Sequence, residues 1–249
     1  MVVRSLDINK DPFRPQEKDE EILGDETPYL SAIGALMYLA NNTRPDICFA
    51  VSLLARFSSC PTRRHWKGFK HIFRYLQGII EMGLLYSNAS KSELISYADA
   101  GYLSDAHKAR SQTGYLFTYG DITISWHSMK QTIVATSSNH TEIIAIHEAS
   151  RECVWLRSMT QHILQLCGLY VQTKISTILY EDNVACIAQL KGGHIKGDRT
   201  KHISHDLQQN GEINVQQIRS SDNLAYLFTK ALPTSTFEKL RYKIGMRRL

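Results

Sequence analysis

The sequence predicts an α/β protein in which a mixed sheet, flanked by helices, follows a small helical subdomain. Three observations support this fold class. Apolar residues recur at helical spacing between residues 33 and 76, strand-like alternation begins at Leu94, and the elements after it follow the order βββαβα…βα. The 249 residues, 43% of them hydrophobic, suffice for one large domain or two small ones.

The first third of the chain predicts three helices after a polar lead-in. Residues 1–27 are rich in charge and contain two prolines, so we expect a flexible lead-in. Apolar residues repeat at i, i+3, i+4 and i+7 from Ile33, which indicates the first helix. Pro45 fits the first turn of the second helix, and Thr62 fits the N-cap of the third. Together the three helices form a helical subdomain over residues 28–86.

The polar, turn-like segment 87–93 predicts a linker between this subdomain and an α/β domain of residues 94–235. Residues 236–249 are expected to form a C-terminal helix and tail. Because domain boundaries favour exposed polar segments, we expect the helical subdomain and the α/β domain to pack as separate units.

A hairpin follows the predicted strand that begins at Leu94. Tyr115, Phe117 and Tyr119 alternate with other residues, Gly120 and Asp121 form a turn, and apolar alternation then resumes. The remaining pattern predicts a helix over 139–166, a strand over 175–180, a helix over 184–191, a strand over 213–218, and helices over 224–231 and 236–242.

Composition limits the class of protein and its surroundings. No apolar run reaches the roughly 18 residues of a membrane-spanning helix, and the first residues lack an apolar signal core. The five cysteines never show CxxC spacing and are expected to be reduced thiols. We therefore expect an intracellular protein, cytoplasmic or nuclear, with no membrane partner. The net charge of +5 mildly favours a polyanionic partner.

Three carboxylates are candidate catalytic and metal-binding groups. Asp99 ends the strand-like run LISYAD, Glu142 opens the helix-like run TEIIAIHEA, and Asp182 follows the strand-like run ISTILYE. Carboxylate oxygens suit hard cations such as Mg²⁺ or Mn²⁺, and two such ions can clamp both oxygens of a phosphoryl displacement. Each acid also has a simpler role open to it, as a turn cap, a favourable charge at a helix start or a helix N-cap.

Other candidates for metal binding are weaker. We expect Glu148 and Glu152 on the solvated side of the long helix, and Glu181 is a less informative neighbour of Asp182. The ten histidines show neither HExxH nor Cys/His finger spacing, so no zinc site is expected.

The densest basic patch lies on the predicted third helix. It is either the solvated face of an amphipathic helix or a surface that contacts the phosphates of a nucleic acid, and the sequence leaves both open. Its members are Arg63, Arg64, Lys67, Lys70 and Arg74.

Five stretches, in this order, resemble the C-terminal part of a copia-class LTR retrotransposon Pol polyprotein. They are PYLSAIGALMYLANNTRPDICFAVSLLARF, SQTGYLFTYGDITISWHSMKQTIVATSSNHTEIIAIHEA, LYEDNVACIAQLK, DRTKHIS and SSDNLAYLFTKALP. The resemblance runs from about residue 28 to the C-terminus. It implies the end of a reverse transcriptase followed by a ribonuclease H-like domain. The paired-aspartate motif of the polymerase is absent, so no polymerase activity is expected.

The resemblance also implies an activity, a cofactor and partners. The implied reaction is hydrolysis of the RNA strand of an RNA/DNA hybrid, with Asp99, Glu142 and Asp182 holding Mg²⁺ or Mn²⁺ in a two-metal site. The implied partners are the hybrid itself and the rest of the retrotransposon polyprotein.

Two departures from the family pattern indicate a degenerate copy. The family motif LADxxTKxL has an aspartate where this chain has Tyr226, and a phenol is a poor ligand for Mg²⁺ at neutral pH. Asp222 is not an obvious substitute for this aspartate as a metal ligand. The segment after Ile203 is also shorter than in the family. We therefore expect attenuated activity.

Two alternatives remain. One is a catalytically inactive remnant of the polyprotein that binds nucleic acid or another partner. The other, less favoured, is a protein resembling secreted RxLR effectors, because the chain has neither a signal peptide nor an R-x-L-R run.

Overall fold

The computed structural model describes residues 11, 13–24, 28–86, 93–105, 107–169, 176–192 and 210–249. The first part contains α1 (Tyr29–Asn42), a 3₁₀ turn (Pro45–Ile47), α2 (Cys48–Ala55), α3 (Arg63–Gly78) and β1 (Met82–Leu84). The second contains β2 (Leu94–Asp105), β3 (Arg110–Tyr119), β4 (Ile122–Lys130), α4 (Ser138–Leu166), β5 (Thr177–Glu181), α5 (Val184–Gly192) and β6 (Ile213–Gln217). Two 3₁₀ turns (Ser220–Asp222 and Leu224–Phe228), α6 (Thr234–Lys243) and β7 (Met246–Arg248) follow.

The main sheet is mixed and has the strand order β4-β3-β2-β5-β6. Strands β2, β3 and β4 are antiparallel neighbours, whereas β5 is parallel to β2 and β6 is parallel to β5. The predicted hairpin joins β3 to β4 through Gly120 and Asp121, whose φ angles of 59° and 65° suit a tight hairpin turn. The predicted α/β fold with a mixed sheet and flanking helices is confirmed.

The two faces of the sheet support two apolar cores. Side chains alternate along a strand, so Leu116 and Phe117 of β3 point to opposite faces, and each is fully buried. On one face, Phe117 packs with Ile146 of α4 and Ile187 of α5. On the other, Leu116 belongs to a cluster that includes residues of α1, α2 and α6.

The expectation that the helical subdomain and the α/β domain pack as separate units is wrong. Ile33 of α1 and Trp126 of β4 lie in the same core, and the Trp126 indole donates a hydrogen bond to the Ala40 carbonyl at 2.7 Å. Strands β1 and β7 also pair, which joins the end of the helical part to the C-terminal segment. The physical reason is that this face of the sheet is apolar and the helices cover it. The boundaries 28–86 and 94–235 stay predictions.

The described part of the lead-in makes contacts with the helical part, and its flexibility stays a prediction. This part packs against the start of α3: Leu23 N–H donates to the Pro61 carbonyl at 2.9 Å, and Ile22 forms a β-bridge with Thr62. The predicted linker falls almost entirely on residues 87–92, which lie outside the described residues.

Two further elements differ from the sequence prediction. The helix expected over 224–231 is a 3₁₀ turn that ends at Phe228. The three-residue strands β1 and β7 were not predicted, because a segment of that length shows no measurable alternation. Across the part of the chain that the structure describes, no helix is both long and apolar enough to cross a membrane.

Phe228 links the helices to the sheet, and its loss should destabilise the whole fold. The side chain is fully buried in the shared core. Phe228→Ala is expected to lower the free energy of unfolding by about 3–5 kcal/mol through the cavity it leaves. Urea unfolding should show one transition for both parts of the chain. Phe73→Ala, at a half-exposed position of α3, is the control and should cost far less. Two separate transitions would contradict the shared core.

Candidate metal centre

Two neighbouring parallel strands place Asp99 and Asp182 side by side. Tyr97 of β2 is in register with Tyr180 of β5, and this is the last pair of the β2–β5 ladder. Asp99 and Asp182 each lie two residues further along, where the two strands part. Parallel strands lie about 4.8 Å apart, so the shared register brings the two carboxylates together.

Asp99 is not at the end of its strand, contrary to the expectation from sequence. Strand β2 continues to Asp105 because it keeps pairing with β3 after β5 has left it. The regular β2–β3 register breaks only after Gly101. What places Asp99 beside Asp182 is therefore the end of the parallel ladder, and not the end of the strand.

Glu142 reaches the same place from α4. The helix begins at Ser138, and the Ser137 hydroxyl accepts a hydrogen bond from the His140 N–H at 3.2 Å. This N-cap fixes the first turn, and Glu142 follows in the next. One carboxylate oxygen from each of Asp99, Glu142 and Asp182 lies within 4.8 Å of the others. The three acids singled out in the sequence therefore converge.

The environment of Asp99 and Glu142 disfavours negative charge. Asp99 is 1% exposed and Glu142 8% exposed, and Glu142 Oε2 is buried without a hydrogen-bond partner. Burial, followed by repulsion from Glu181 and Asp99, raises the pKa of Glu142 to about 11. Burial likewise raises the pKa of Asp99, although Lys230 and Thr229 oppose this. A buried, unpaired carboxylate oxygen that faces other carboxylates is what a bound cation would stabilise.

Glu181 is a fourth acid of the cluster, although the sequence pattern marks it only as a neighbour of Asp182. It is fully buried, and its Oε1 accepts the backbone N–H groups of Asp182 and Asn183 at 3.1 and 3.0 Å. These bonds hold the turn from β5 into α5, and therefore the backbone of Asp182. Its Oε2 has no partner, and burial raises its pKa well above the usual value.

The segment after β6 supplies the groups that face the acids from the other side. Tyr226 donates its hydroxyl to Asp182 Oδ2 at 2.5 Å, and the Ser220 hydroxyl donates to the same oxygen. Thr229 donates its hydroxyl to Asp99 Oδ2, and the Lys230 ammonium lies 3.2 Å from Asp99 Oδ1. The position where the family has an aspartate thus does border the site, but it carries a hydrogen-bond donor.

Two glycines allow this segment to approach the sheet. A Cβ on Gly101 would lie 2.4 Å from the Thr229 carbonyl oxygen, and a Cβ on Gly114 would lie 2.7 Å from the Phe228 Cβ. Any larger residue at either position would push the segment away. Asn223 fixes the start of this segment, since its side chain donates to the Ala98 carbonyl at 2.8 Å.

The remaining candidates lie elsewhere. Glu148 pairs with Arg151, and Glu152 accepts a hydrogen bond from Ser125. Asp222 forms ion pairs with Lys239 and Lys243 at 3.2 and 2.8 Å, so it does not replace the missing aspartate.

The basic patch on α3 is partly neutralised by the lead-in. Arg63 pairs with Glu21 at 3.1 Å and Arg64 pairs with Glu20. The other three members of the patch are exposed: Lys67, Lys70 and Arg74.

Sequence reasoning missed Lys230, Thr229 and Ser220 as members of the site. For the first two a signal existed, because both belong to the family motif that contains Tyr226. For Ser220 no pattern distinguished it from other serines in loops.

Comparison with known proteins shows that this chain is similar to polyproteins of transposons. It is 34% identical over 227 residues to the retrovirus-related Pol polyprotein from transposon TNT 1-94 of Nicotiana tabacum, which is 89% of this chain and 16% of that polyprotein. It is 33% identical over 230 residues to the corresponding polyprotein from transposon RE2 of Arabidopsis thaliana, covering 90% of this chain and 15% of the relative. The chain therefore spans about a sixth of these relatives.

A shorter relative matches nearly in full. The secreted RxLR effector protein 161 of Plasmopara viticola is 44% identical over 134 residues, which is 54% of this chain and 94% of that protein. No protein-family model matches the chain.

Among solved structures, the N-terminal RNase H domain of rv2228c from Mycobacterium tuberculosis aligns over 61% of this chain and 98% of that chain, with a TM-score of 0.41 and 12% identity. LC11-RNase H1 in complex with an RNA/DNA hybrid aligns over 55% and 94%, with a TM-score of 0.37 and 14% identity.

Retrovirus-related Pol polyproteins from plant transposons are homologues of this chain over about 90% of its length. The resemblance predicted from five sequence motifs is confirmed.

Removing the charge of Glu142 should stabilise the metal-free protein. The pKa of this acid is higher in the folded protein than in the unfolded chain, so the folded state binds more protons and loses stability as the pH rises above about 4.5. In metal-free buffer with EDTA near pH 8, we expect the free energy of unfolding of Glu142→Gln to be about 1–3 kcal/mol higher than that of the unmodified protein. The gain should shrink towards about pH 5.

The control for this measurement is Glu148→Gln, which removes a half-buried acid from the same helix outside the cluster. It should give no comparable gain in urea unfolding. A Glu142→Gln protein less stable than the unmodified one near pH 8 would show that Glu142 is already compensated in the metal-free fold.

Proposed function

We propose that this chain is a retrotransposon ribonuclease H-like domain that hydrolyses the RNA strand of RNA/DNA hybrids with divalent metal ions, at reduced efficiency. The observation that carries the proposal is the convergence of Asp99, Glu142 and Asp182 within 4.8 Å. Homology to Pol polyproteins supports the substrate class, and the rest of such a polyprotein is the expected partner.

The chemistry of the donor set fits Mg²⁺ or Mn²⁺. The converging atoms are all carboxylate oxygens, which hard cations prefer, and the orphaned Glu142 Oε2 gives a cation an unpaired buried oxygen. A divalent ion held by Asp99, Glu142 and Asp182 would polarise the scissile phosphate and lower the pKa of an attacking water. The backbone bonds from Asp182 and Asn183 to Glu181 keep the Asp182 carboxylate at the place where the ladder ends.

The proposed attenuation rests on Tyr226. Burial raises the pKa of its phenol, so the hydroxyl stays protonated and donates to Asp182. A protonated phenol brings neither the charge nor the readily available lone pairs of a carboxylate, so the site has one ligand fewer than the family pattern.

A second candidate function is a catalytically inactive remnant that binds nucleic acid or a protein. The observation in its favour is that Asp99 and Asp182 already accept hydrogen bonds from four side chains of the segment after β6: Ser220, Tyr226, Thr229 and Lys230. The relative named as a secreted RxLR effector makes an effector-like role a third, less favoured candidate.

We propose the exposed part of the α3 patch as the nucleic-acid contact. Lys67, Lys70 and Arg74 are exposed, and single cations at this spacing suit a phosphate backbone. Arg63 and Arg64 contribute only if a phosphate displaces Glu20 and Glu21.

Cleavage of a labelled RNA/DNA hybrid against Mg²⁺ concentration tests the proposed activity. The unmodified protein should cleave slowly and need high Mg²⁺, and Tyr226→Asp should raise the rate at low Mg²⁺ by about tenfold or more, since it restores an anionic ligand. Asp99→Asn is the blank and should be inactive.

The control variant is Tyr226→Phe, which removes the hydroxyl without adding a charge and should not gain activity at low Mg²⁺. Equal rates for the unmodified protein and Tyr226→Asp at every Mg²⁺ level would show that Tyr226 does not stand at a ligand position. Rates equal to the blank in both would favour the inactive remnant.

The salt dependence of hybrid binding tests the α3 patch. Replacing Lys67, Lys70 and Arg74 together by glutamine removes up to three phosphate contacts. The slope of log K against log salt should become shallower by roughly 2–3. Fluorescence anisotropy on the Asp99→Asn background avoids cleavage during the measurement. As the control, Lys239→Gln and Lys243→Gln remove charges that pair with Asp222. An unchanged slope for the triple variant would identify the patch as an ordinary solvated helix face.

A further inference from the structure

The ammonium group of Lys230 occupies an unusual position in the acidic cluster. Its Nζ lies 3.2 Å from Asp99 Oδ1 and also 3.2 Å from Asp99 Oδ2. The carboxylate it contacts is 1% exposed, whereas 36% of the Lys230 side chain is exposed. The ammonium of a partly exposed lysine therefore contacts both carboxylate oxygens of a buried acid.

Tyr226 holds this ammonium in place. The Lys230 Nζ lies 3.4 Å from the centroid of the Tyr226 ring, within the range of a strong cation–π contact. The ring is itself fixed, because the Tyr226 hydroxyl donates to Asp182 Oδ2 at 2.5 Å. Tyr226 and Lys230 thus act as one unit that bridges Asp182 and Asp99.

Substitution of an aspartate by tyrosine has two consequences for this unit. It removes one negative charge from the cluster, and it adds an aromatic face for a cation to sit on. Both changes favour an ammonium at Asp99. An aspartate at the same position would offer no ring and would add an anion that attracts a further metal ion.

Some carboxylate oxygens of the cluster remain available to a divalent ion. Among the described residues, the side-chain hydrogen bonds to Asp182 both end on Oδ2, and Glu142 Oε2 has no partner. By contrast, Asp99 Oδ2 accepts a hydrogen bond from the Thr229 hydroxyl, and Asp99 Oδ1 accepts one from the Lys230 ammonium. A second divalent ion at Asp99 would have to approach a fixed unit positive charge, which repels it in a poorly solvated place.

We propose that Lys230, supported by the ring of Tyr226, is a tethered cation that takes the place of one of two divalent ions, so that this chain binds a single divalent ion. The inference rests on the proposed function, since it presupposes a metal site at Asp99, Glu142 and Asp182. It identifies Lys230 as a positioning residue that sets metal stoichiometry and affinity.

Titration of the metal-free protein with Mn²⁺ in a calorimeter tests this assignment without any substrate. The unmodified protein should bind one Mn²⁺. Lys230→Met should bind Mn²⁺ about tenfold more tightly or better, because a unit charge beside the site is gone. The double variant Lys230→Met with Tyr226→Asp should bind two Mn²⁺.

Two controls separate the charge of Lys230 from its packing. Lys230→Arg keeps the positive charge and should keep the affinity of the unmodified protein. Lys239→Met removes a lysine that pairs with Asp222, outside the acidic cluster, and should also leave Mn²⁺ binding unchanged. Thermal unfolding with and without Mn²⁺ provides an independent readout. Mn²⁺ should raise the melting temperature of Lys230→Met by more than that of the unmodified protein.

The outcomes distinguish the inference from the proposed function. Two Mn²⁺ ions on the unmodified protein, or equal affinity in the unmodified protein and Lys230→Met, would overturn the tethered-cation assignment and leave the metal-dependent function standing. The stoichiometry of the unmodified protein decides the matter even if Lys230→Met does not fold. Absence of Mn²⁺ binding in every variant would overturn both.

Discussion

Repulsion among carboxylates that the fold holds together is the constraint on which the rest of this structure depends. Asp99, Glu142 and Asp182 converge within 4.8 Å, and Glu181 is buried beside them. Such a cluster costs folding free energy unless protons or cations compensate its charge. The raised pKa values of Asp99, Glu142 and Glu181 express that cost. Arrangements of this kind are typical of sites where function, and not stability, determines the residues.

The elements around the cluster both create and relieve this repulsion. The β2–β5 register and the α4 cap bring the acids together, and the two apolar cores pack the helices onto the sheet that carries them. The segment after β6 relieves it, because the Tyr226 hydroxyl and the Lys230 ammonium approach from the opposite side. That approach needs a sheet surface without side chains, which Gly101 and Gly114 provide. A change at either glycine would therefore act on the site through the backbone.

Local periodicity and motif order are enough to predict most elements and the convergence of Asp99, Glu142 and Asp182. They fail where the outcome depends on partners distant in sequence. The covering of the sheet by α1 and α2 depends on an apolar face that no single segment reveals, so the two-unit packing was predicted wrongly. Alternation in the sequence predicts a strand end at Asp99, whereas pairing with β3 extends β2 to Asp105. The contacts of Lys230 join residues 131 positions apart, and no spacing rule predicts them.

The most direct test of the account is anomalous diffraction from a crystal of the protein grown with Mn²⁺. The account predicts an anomalous peak bound by the carboxylates of Asp99, Glu142 and Asp182, with the Lys230 ammonium still in contact with Asp99. The same crystal would show whether Glu142 Oε2 has gained the cation as its partner. A well-ordered structure with no peak at these three acids at saturating Mn²⁺ would contradict the account.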